Sequence, residues 1–289
     1  MPVKLCLAGI LAWILTPPAL LPDSARTVFF DDFSGSQLDR SHWNVIVTGR
    51  TVNNELQAYV DAPDVLRVKG GALEIQPRYR PGFKTSDGHS FDFISGRIDT
   101  RSKMTFTYGT AAARMKLAAG DGLWPAFWAL GDGRWPDTGE IDIMENVGDR
   151  TWTSVALHGP GYFGDTPLVM RAPLGRSDIT KWHVYSVDWT TDTLVFKVDE
   201  RMVYRVTREM VERYGAWSFD NPKHLILNLA LGGNYPFGVN KASTPYRGLP
   251  ESTVRAIQKD KVRILVDWVR VTAPTTAAPA PQVWAKRGA

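Results

Sequence analysis

Glu140, Asp142 and Glu145 lie in one short run, Gly139-Glu-Ile-Asp-Ile-Met-Glu145. Alternation along a strand places Glu140 and Asp142 on one face, with Ile141 and Ile143 on the other. Glu145 would fall with the isoleucines unless one residue is inserted. A β-bulge at Ile143-Met144 returns it to the side of the other two acids. The pattern therefore predicts three carboxyls on one face and apolar side chains behind them. Neighbouring carboxylates repel, which costs stability and drives their pKa values apart. Two carboxyls of different pKa can divide the roles of nucleophile and acid. Trp124, Trp128 and Trp135 stand just upstream. Indole faces stack on the apolar faces of sugar rings, and acids beside aromatics point to glycoside hydrolysis. An acidic strand face could instead be solvated surface or a calcium site; the bulge spacing and the Trp-Pro flanks favour catalysis. The indoles could also pack in a core. Two of the three are expected in a cleft, with Trp128 the candidate for the core.

The elements that would carry this run read as strands. Trp182 to Trp189 alternates apolar and polar positions, with a break at Tyr185-Ser186. Leu194–Val198 and Met202–Val206 flank Asp199-Glu200-Arg201 and read as a hairpin. His224 to Leu231 is a nearly continuous apolar strand ending at Gly232-Gly233, and Val262 to Val271 is a last strand. Ala72 to Gln76 and Ala111 to Leu117 are further strands, and turn signals such as Gly70-Gly71, Pro81-Gly82 and Asp87-Gly88 separate them. One short helix is expected, near Arg208 to Tyr214. Many strands with few helices predict two antiparallel sheets stacked face to face.

The chain has 289 residues, with 44% hydrophobic and 22% charged residues, an ordinary globular composition. Its net charge of +4 arises from scattered Lys and Arg, so no nucleic-acid partner is expected. Lys4, the apolar stretch Leu5 to Leu15 and the small residues after it read as a signal peptide over 1–25. The alternative is a buried N-terminal helix; the stretch is too short to span a membrane, which takes about 20 residues. Cys6, the one cysteine, lies inside that stretch, so the mature protein would be thiol-free and secreted. The Ala/Pro/Thr-rich residues 273–289 read as a tail that cannot bury a core. A single folded domain is expected over 26–272, acting as a monomer without membrane attachment. Nine of the 11 Trp fall in that body. Trp182, Trp189 and Trp268 sit in expected strands and are assigned to the core.

The acidic run resembles the active-site signature of glycoside hydrolase family 16, in the bulged form of laminarinase-like endo-β-1,3-glucanases. Asn53-Asn-Glu-Leu-Gln57-Ala-Tyr59, Gly96-Arg97, Ala113-Arg-Met-Lys116, Leu157-His158-Gly159, Trp182–Trp189, Asn228–Asn234 and Asp267–Val271 follow in the family's order. The resemblance thus spans nearly the whole body. It implies an all-β fold, a concanavalin A-like jelly-roll β-sandwich of two curved antiparallel sheets. It implies Glu140 as nucleophile, Glu145 as acid/base and Asp142 between them, holding their protonation states apart. His158 is implied as a cleft residue, the alternative being a hydrogen-bonded core histidine. Asn53 and Arg97 are implied as sugar contacts, against a surface ion pair for a lone Arg. No cofactor is implied for the chemistry, but a structural calcium is, on Asp32, Gly71 and Asp267; Asp267 could instead make a local hydrogen bond. The expected substrate is β-1,3-glucan, with mixed-linkage β-1,3-1,4-glucan as an extension. Galactans such as agarose are the alternative, as is a non-catalytic glucan-binding role. The presence of both glutamates argues for catalysis.

Overall fold

The computed structural model describes residues 25–50 and 52–274. The expected signal peptide with Cys6, and all but the first residues of the tail, fall outside the described residues. Two antiparallel sheets form a jelly-roll β-sandwich. One has the strand order Val169–Pro173, Trp152–His158, Glu140–Glu145, Leu123–Gly131, Lys223–Leu231, Arg97–Asp99 and Asn44–Val45. The acidic run is therefore an inner strand, hydrogen-bonded on both sides. The other sheet runs Arg201–Thr207, Thr193–Val198, His183–Trp189, Gly109–Lys116, Ile264–Ala273, Leu73–Ile75 and Leu66–Val68, with Arg26–Asp31 also paired to Ile264–Ala273. A small third sheet, Gln57–Tyr59, Ser90–Ser95 and Arg78–Lys84, contains a parallel pair.

The core lies between the two large sheets. Leu123, Phe127, Ala129, Ile141, Leu157, Leu227 and Leu229 line it from the acidic sheet. Ala113, Met115, Tyr185, Val187, Phe196, Val266 and Val269 meet them from the other. Alternation does most of this sorting, because successive side chains leave a strand on opposite faces. The expected bulge is present. Phe127 pairs with Met144 and Trp128 with Asp142, so Ile143 is the extra residue. Ile141, Ile143 and Met144 are all buried, and Glu140, Asp142 and Glu145 share the opposite face. The 193–207 hairpin forms as expected, with Asp199 and Glu200 at positive φ in its turn.

Some expectations are corrected. The short helix is Arg208–Glu212, capped by Thr207. Two more helices, Asn234–Asn240 and Glu251–Gln258, were not expected. The first contains Pro236 and Gly238, which read as loop residues; the second begins directly after Pro250. Of the three strand tryptophans assigned to the core, only Trp189 is fully buried, at 1% exposed. Trp182 and Trp268 stand half-exposed on the far face of the other sheet. Arg114 lies 4.8 Å over Trp182 and Arg270 lies 5.2 Å over Trp268. The strand period placed these residues on a face without saying which face was inside. No helix among the described residues is long and apolar enough to cross a membrane.

The bulge makes a sharp prediction. Ile143→Ala keeps it and should cost about 2–4 kcal/mol, read as a lower urea midpoint with an unchanged slope. Deleting Ile143 restores plain alternation and leaves Glu145 on the face of Glu140 and Asp142, because Met144 then takes the one inward position between Asp142 and Glu145. That variant should fold with its carboxyls in place, at a cost similar to that of Ile143→Ala.

Candidate active site

Each glutamate of the acidic strand is held by an indole. Trp135 Nε1 donates to Glu140 Oε2 at 2.7 Å, and Trp124 Nε1 donates to Glu145 Oε1 at 2.8 Å. Both indoles come from the segment that precedes the acids. Trp124 stands on the neighbouring strand, on the same face, because that strand alternates Leu123, Pro125 and Phe127 inward with Trp124, Ala126 and Trp128 outward. Trp135 comes from the loop that joins the two strands and is 45% exposed. Gly139 ends that loop at φ 70°, and a Cβ there would lie 2.3 Å from the Ser218 carbonyl, so only glycine fits.

Asp142 sits between the glutamates and is 3% exposed. His158 lies opposite Glu140 in the register of the next strand, and its Nε2 is 3.1 Å from Asp142 Oδ2. The contact is close enough for an ion pair but angled away from a hydrogen bond, and His158 Nδ1 has no protein partner. His158 is thus a site residue rather than a satisfied core histidine.

Burial dominates the electrostatics. It pushes the Glu140 carboxyl up to about 8; the charge of Asp142 adds to the rise, while His158 and the Trp135 N–H oppose it. Burial likewise pushes Glu145 up to about 7, against the Trp124 N–H and His158 and with the charge of Glu140. Asp142 lies well above the ordinary carboxyl range, through burial and then the charge of Glu145, with a hydrogen bond to Glu140 opposing. Three carboxyls in so dry a place cannot all ionise near neutral pH. They share protons and titrate as one unit. Glu140, Asp142 and His158 also bring ligand atoms within 4.8 Å of one another. His158 and the three carboxyls form one proton network.

The remaining expected residues divide. Trp128 is not a core residue. It stands half-buried on the acidic face, its Nε1 donating to Asn228 Oδ1 at 2.8 Å, with Arg97 4.9 Å over its ring. All three upstream tryptophans therefore face the site. Arg97 joins them through that stack rather than through a surface ion pair, and its buried Nε lacks a partner. Asn53 is exposed in a left-handed turn at φ 55°, and its carbonyl accepts the Asn234 N–H at 2.7 Å. The residues considered for calcium meet at one corner, since Asp31 pairs with Val269 and Leu73 with Val266. Their carboxylates are engaged otherwise: Asp267 pairs with Arg114 at 2.7 Å, and Asp32 Oδ1 accepts the Ser34 N–H at 3.1 Å. Gly71 is in a left-handed turn with open space around it. At this corner the Asp267 carboxylate faces the Arg114 guanidinium.

Several site residues escaped the sequence reading. Asn228 ties Trp128 to the Tyr59 hydroxyl, 3.2 Å from its Nδ2. Lys223 is wholly buried, and its Nζ donates to the Thr138 carbonyl at 2.6 Å, the Ser218 carbonyl at 3.1 Å and Asn221 Oδ1 at 3.0 Å. It fastens the Trp135 loop from beneath, and burial pulls its pKa down to about 7. Asn228 is visible as a polar position in an apolar strand and Lys223 lies just before that strand as read from sequence, but nothing in the sequence says what either meets. Tyr235, from an unexpected helix, packs edge-on against Trp124 with ring centroids 5.4 Å apart.

Comparison with known proteins agrees with this arrangement. The family model for Glycosyl hydrolases family 16 matches residues 39–246. A β-glucanase from Rhodothermus marinus is 37% identical over 224 residues, covering 71% of this chain and 75% of its own. Glucan endo-1,3-beta-glucosidase A1 from Niallia circulans is 34% identical over 250 residues, covering 77% of this chain but only 36% of its own. Among solved structures, the endo-beta-1,3-glucanase from Pyrococcus furiosus superposes with a TM-score of 0.75 at 32% identity, covering 86% of this chain and 94% of that one.

The raised carboxyls carry a stability signature. A carboxyl whose folded pKa exceeds its unfolded value loses stabilising effect as pH rises from the unfolded pKa through the folded one. At pH 7 the charge on this trio is a burden on the fold, and at pH 4 it is absent. Glu140→Gln should therefore raise Tm at pH 7, by about 2–4 °C for each kcal/mol of strain relieved, and the gain should shrink at pH 4. Differential scanning calorimetry at the two pH values checks this.

Proposed function

The chain belongs to glycosyl hydrolases family 16, and from that premise we propose that it cleaves internal β-1,3-glucosidic bonds of β-glucans with retention of configuration. The observation that carries the reading is the trio of carboxyls on one strand face, with an indole N–H fixing one oxygen of each glutamate. Glu145 donates its proton to the leaving glycosidic oxygen while Glu140 attacks the anomeric carbon. The bond from that carbon to the leaving oxygen breaks, and a glycosyl-enzyme ester on Glu140 remains. Glu145, now a carboxylate, takes a proton from water, and the water oxygen displaces Glu140.

The protonation pattern needs explanation, because Glu140 is pushed up further than Glu145. Titrated separately, the nucleophile would hold its proton longer than the acid. The trio does not titrate separately. As folded, the hydrogen bond between Glu140 and Asp142 raises the pKa of Glu140 and lowers that of Asp142. In the reactive state it is reversed, with Asp142, the most buried of the three, donating its proton to Glu140, and a donated hydrogen bond favours the anion. Trp135 N–H and His158 stabilise the same charge. The reactive state then holds one negative charge on Glu140 and protons on Asp142 and Glu145. Acid, base and nucleophile all come from the chain itself.

The substrate class rests on the relatives, several of which are named as β-1,3-glucanases, and on three indoles facing the acids. Mixed-linkage β-1,3-1,4-glucan is a second substrate of the same site. The apolar leader of the sequence supports export, and the reading is of a monomer acting on extracellular polysaccharide. A purely glucan-binding role leaves the dry carboxyl trio without a purpose.

Reducing-sugar release from laminarin, lichenan and agarose tests the substrate; activity on agarose alone would overturn it. Proton NMR of the first product should show the β-anomer, and an α-anomer would exclude the double displacement. Glu140→Gln should lower kcat on the order of 10⁴-fold, and Glu145→Gln by about 10²–10⁴-fold on substrates that need a proton at the leaving group. The kcat/KM profile should be bell-shaped, with its acid limb above the ordinary carboxyl value of 4.5. Asp142→Asn should move that limb.

A further inference from the structure

Beyond the catalytic trio, the acidic face continues toward the edge strand Val169–Pro173, over residues the proposed chemistry does not use. Glu145 pairs in register with Ser154, and Ser154 with Arg171. The three therefore form one row across three strands, with about 10 Å between its ends at ordinary strand spacing. Ser154 and Ala156 on this face are buried, so the accessible surface of the row lies on Tyr235, Trp152 and Arg171. One side is walled by Tyr235, which packs on Trp124 and reaches Ser154 Oγ with its hydroxyl at 3.1 Å. At the end of the row, the guanidinium of Arg171 lies 4.6 Å over the ring of Trp152. Arg171 is exposed and Trp152 half-buried. The other side is walled by Trp135, with the exposed Phe163 packed edge-on against it at 5.4 Å.

We infer that Trp152, Arg171 and Tyr235 form a sugar-binding subsite on the edge-strand side of Glu145, selecting neutral glucan chains long enough to reach it. The inference rests on the proposed glucanase activity for its substrate class. Stacking occupies the face of the Arg171 guanidinium and leaves its edge N–H donors for sugar hydroxyls. The Tyr235 hydroxyl can accept from a hydroxyl while its ring bears on the pyranose face. Neither Trp152 nor Arg171 belongs to the motifs that marked the catalytic strand. They set where along the glucan the enzyme cuts.

The test uses laminarihexaose. Arg171→Met and Trp152→Leu keep the bulk of their side chains, and Arg171 sits on an exposed edge, so both should fold with Tm near that of the parent. Each should raise KM for the hexasaccharide about tenfold with kcat within about twofold, the loss of roughly one subsite interaction. With the hexasaccharide labelled at its reducing end, the distribution of cleavage positions should shift. A purely structural role would lower kcat equally on every chain length and leave the cleavage positions unchanged, which would overturn the inference. A second arm separates binding from chemistry: calorimetric titration of laminarihexaose into Glu140→Gln, with and without Arg171→Met. A tenfold weaker Kd with Arg171→Met supports the subsite even if the parent enzyme proves inactive on laminarin, an outcome that would sink the proposed activity alone. An unchanged Kd, with an active parent, would sink the subsite alone.

Discussion

The supernumerary residue in the strand Glu140–Glu145 constrains everything around it. A strand has two faces and strict alternation, so three acids spaced as these are cannot share a face without a bulge. Ile143 and Met144 are both buried opposite Val155, and that double insertion into the core anchors the bulge. The hydrophobic side of the strand thereby fixes its polar side. The carboxyls are placed by what lies behind them, and the flanking strands, paired on both edges, prevent the run from slipping.

Burial of the trio is unfavourable in itself, and the surroundings offset it with few groups. Two indole N–H donors, one imidazole and a proton shared among the acids replace the water that the site excludes. None of these is a full positive charge held permanently against the carboxyls. A lysine or arginine in contact would lower all three pKa values and leave no acid to protonate the leaving group. The buried Lys223 is directed toward the carbonyls of Thr138 and Ser218. Its contribution is mechanical: it fastens the loop that presents Trp135. Arg97, on the other side, is held in a stack on Trp128.

Tryptophan serves three purposes in this fold, and the difference is one of face. Trp43 and Trp189 fill the core and satisfy their N–H groups on Asp31 and on the Phe219 carbonyl. Trp124, Trp128 and Trp135 present rings to the site while their N–H groups bind a glutamate, an asparagine and a glutamate. Trp152, Trp182 and Trp268 carry guanidinium groups over their rings. An amphipathic ring can do any of these, so its count in a composition says little about its use.

The sequence by itself determined the acidic strand, its bulge, the three carboxyls and the strand-rich class of the fold, because these follow from local alternation and spacing. It also identified His158 and the segments around the tryptophans through their order along the chain. It did not decide which face of a strand was inside, and so it misplaced Trp128, Trp182 and Trp268. Periodicity defines two faces and leaves their assignment to the partner sheet. It missed the helices Asn234–Asn240 and Glu251–Gln258, where Pro and Gly mark loops and packing overrides them. Tyr235, Lys223, Asn228 and the pairing of Arg171 with Trp152 came only from the tertiary structure. Each of these acts across strands or loops remote in the chain, and contacts of that kind are set by how sheets stack, which no local pattern encodes.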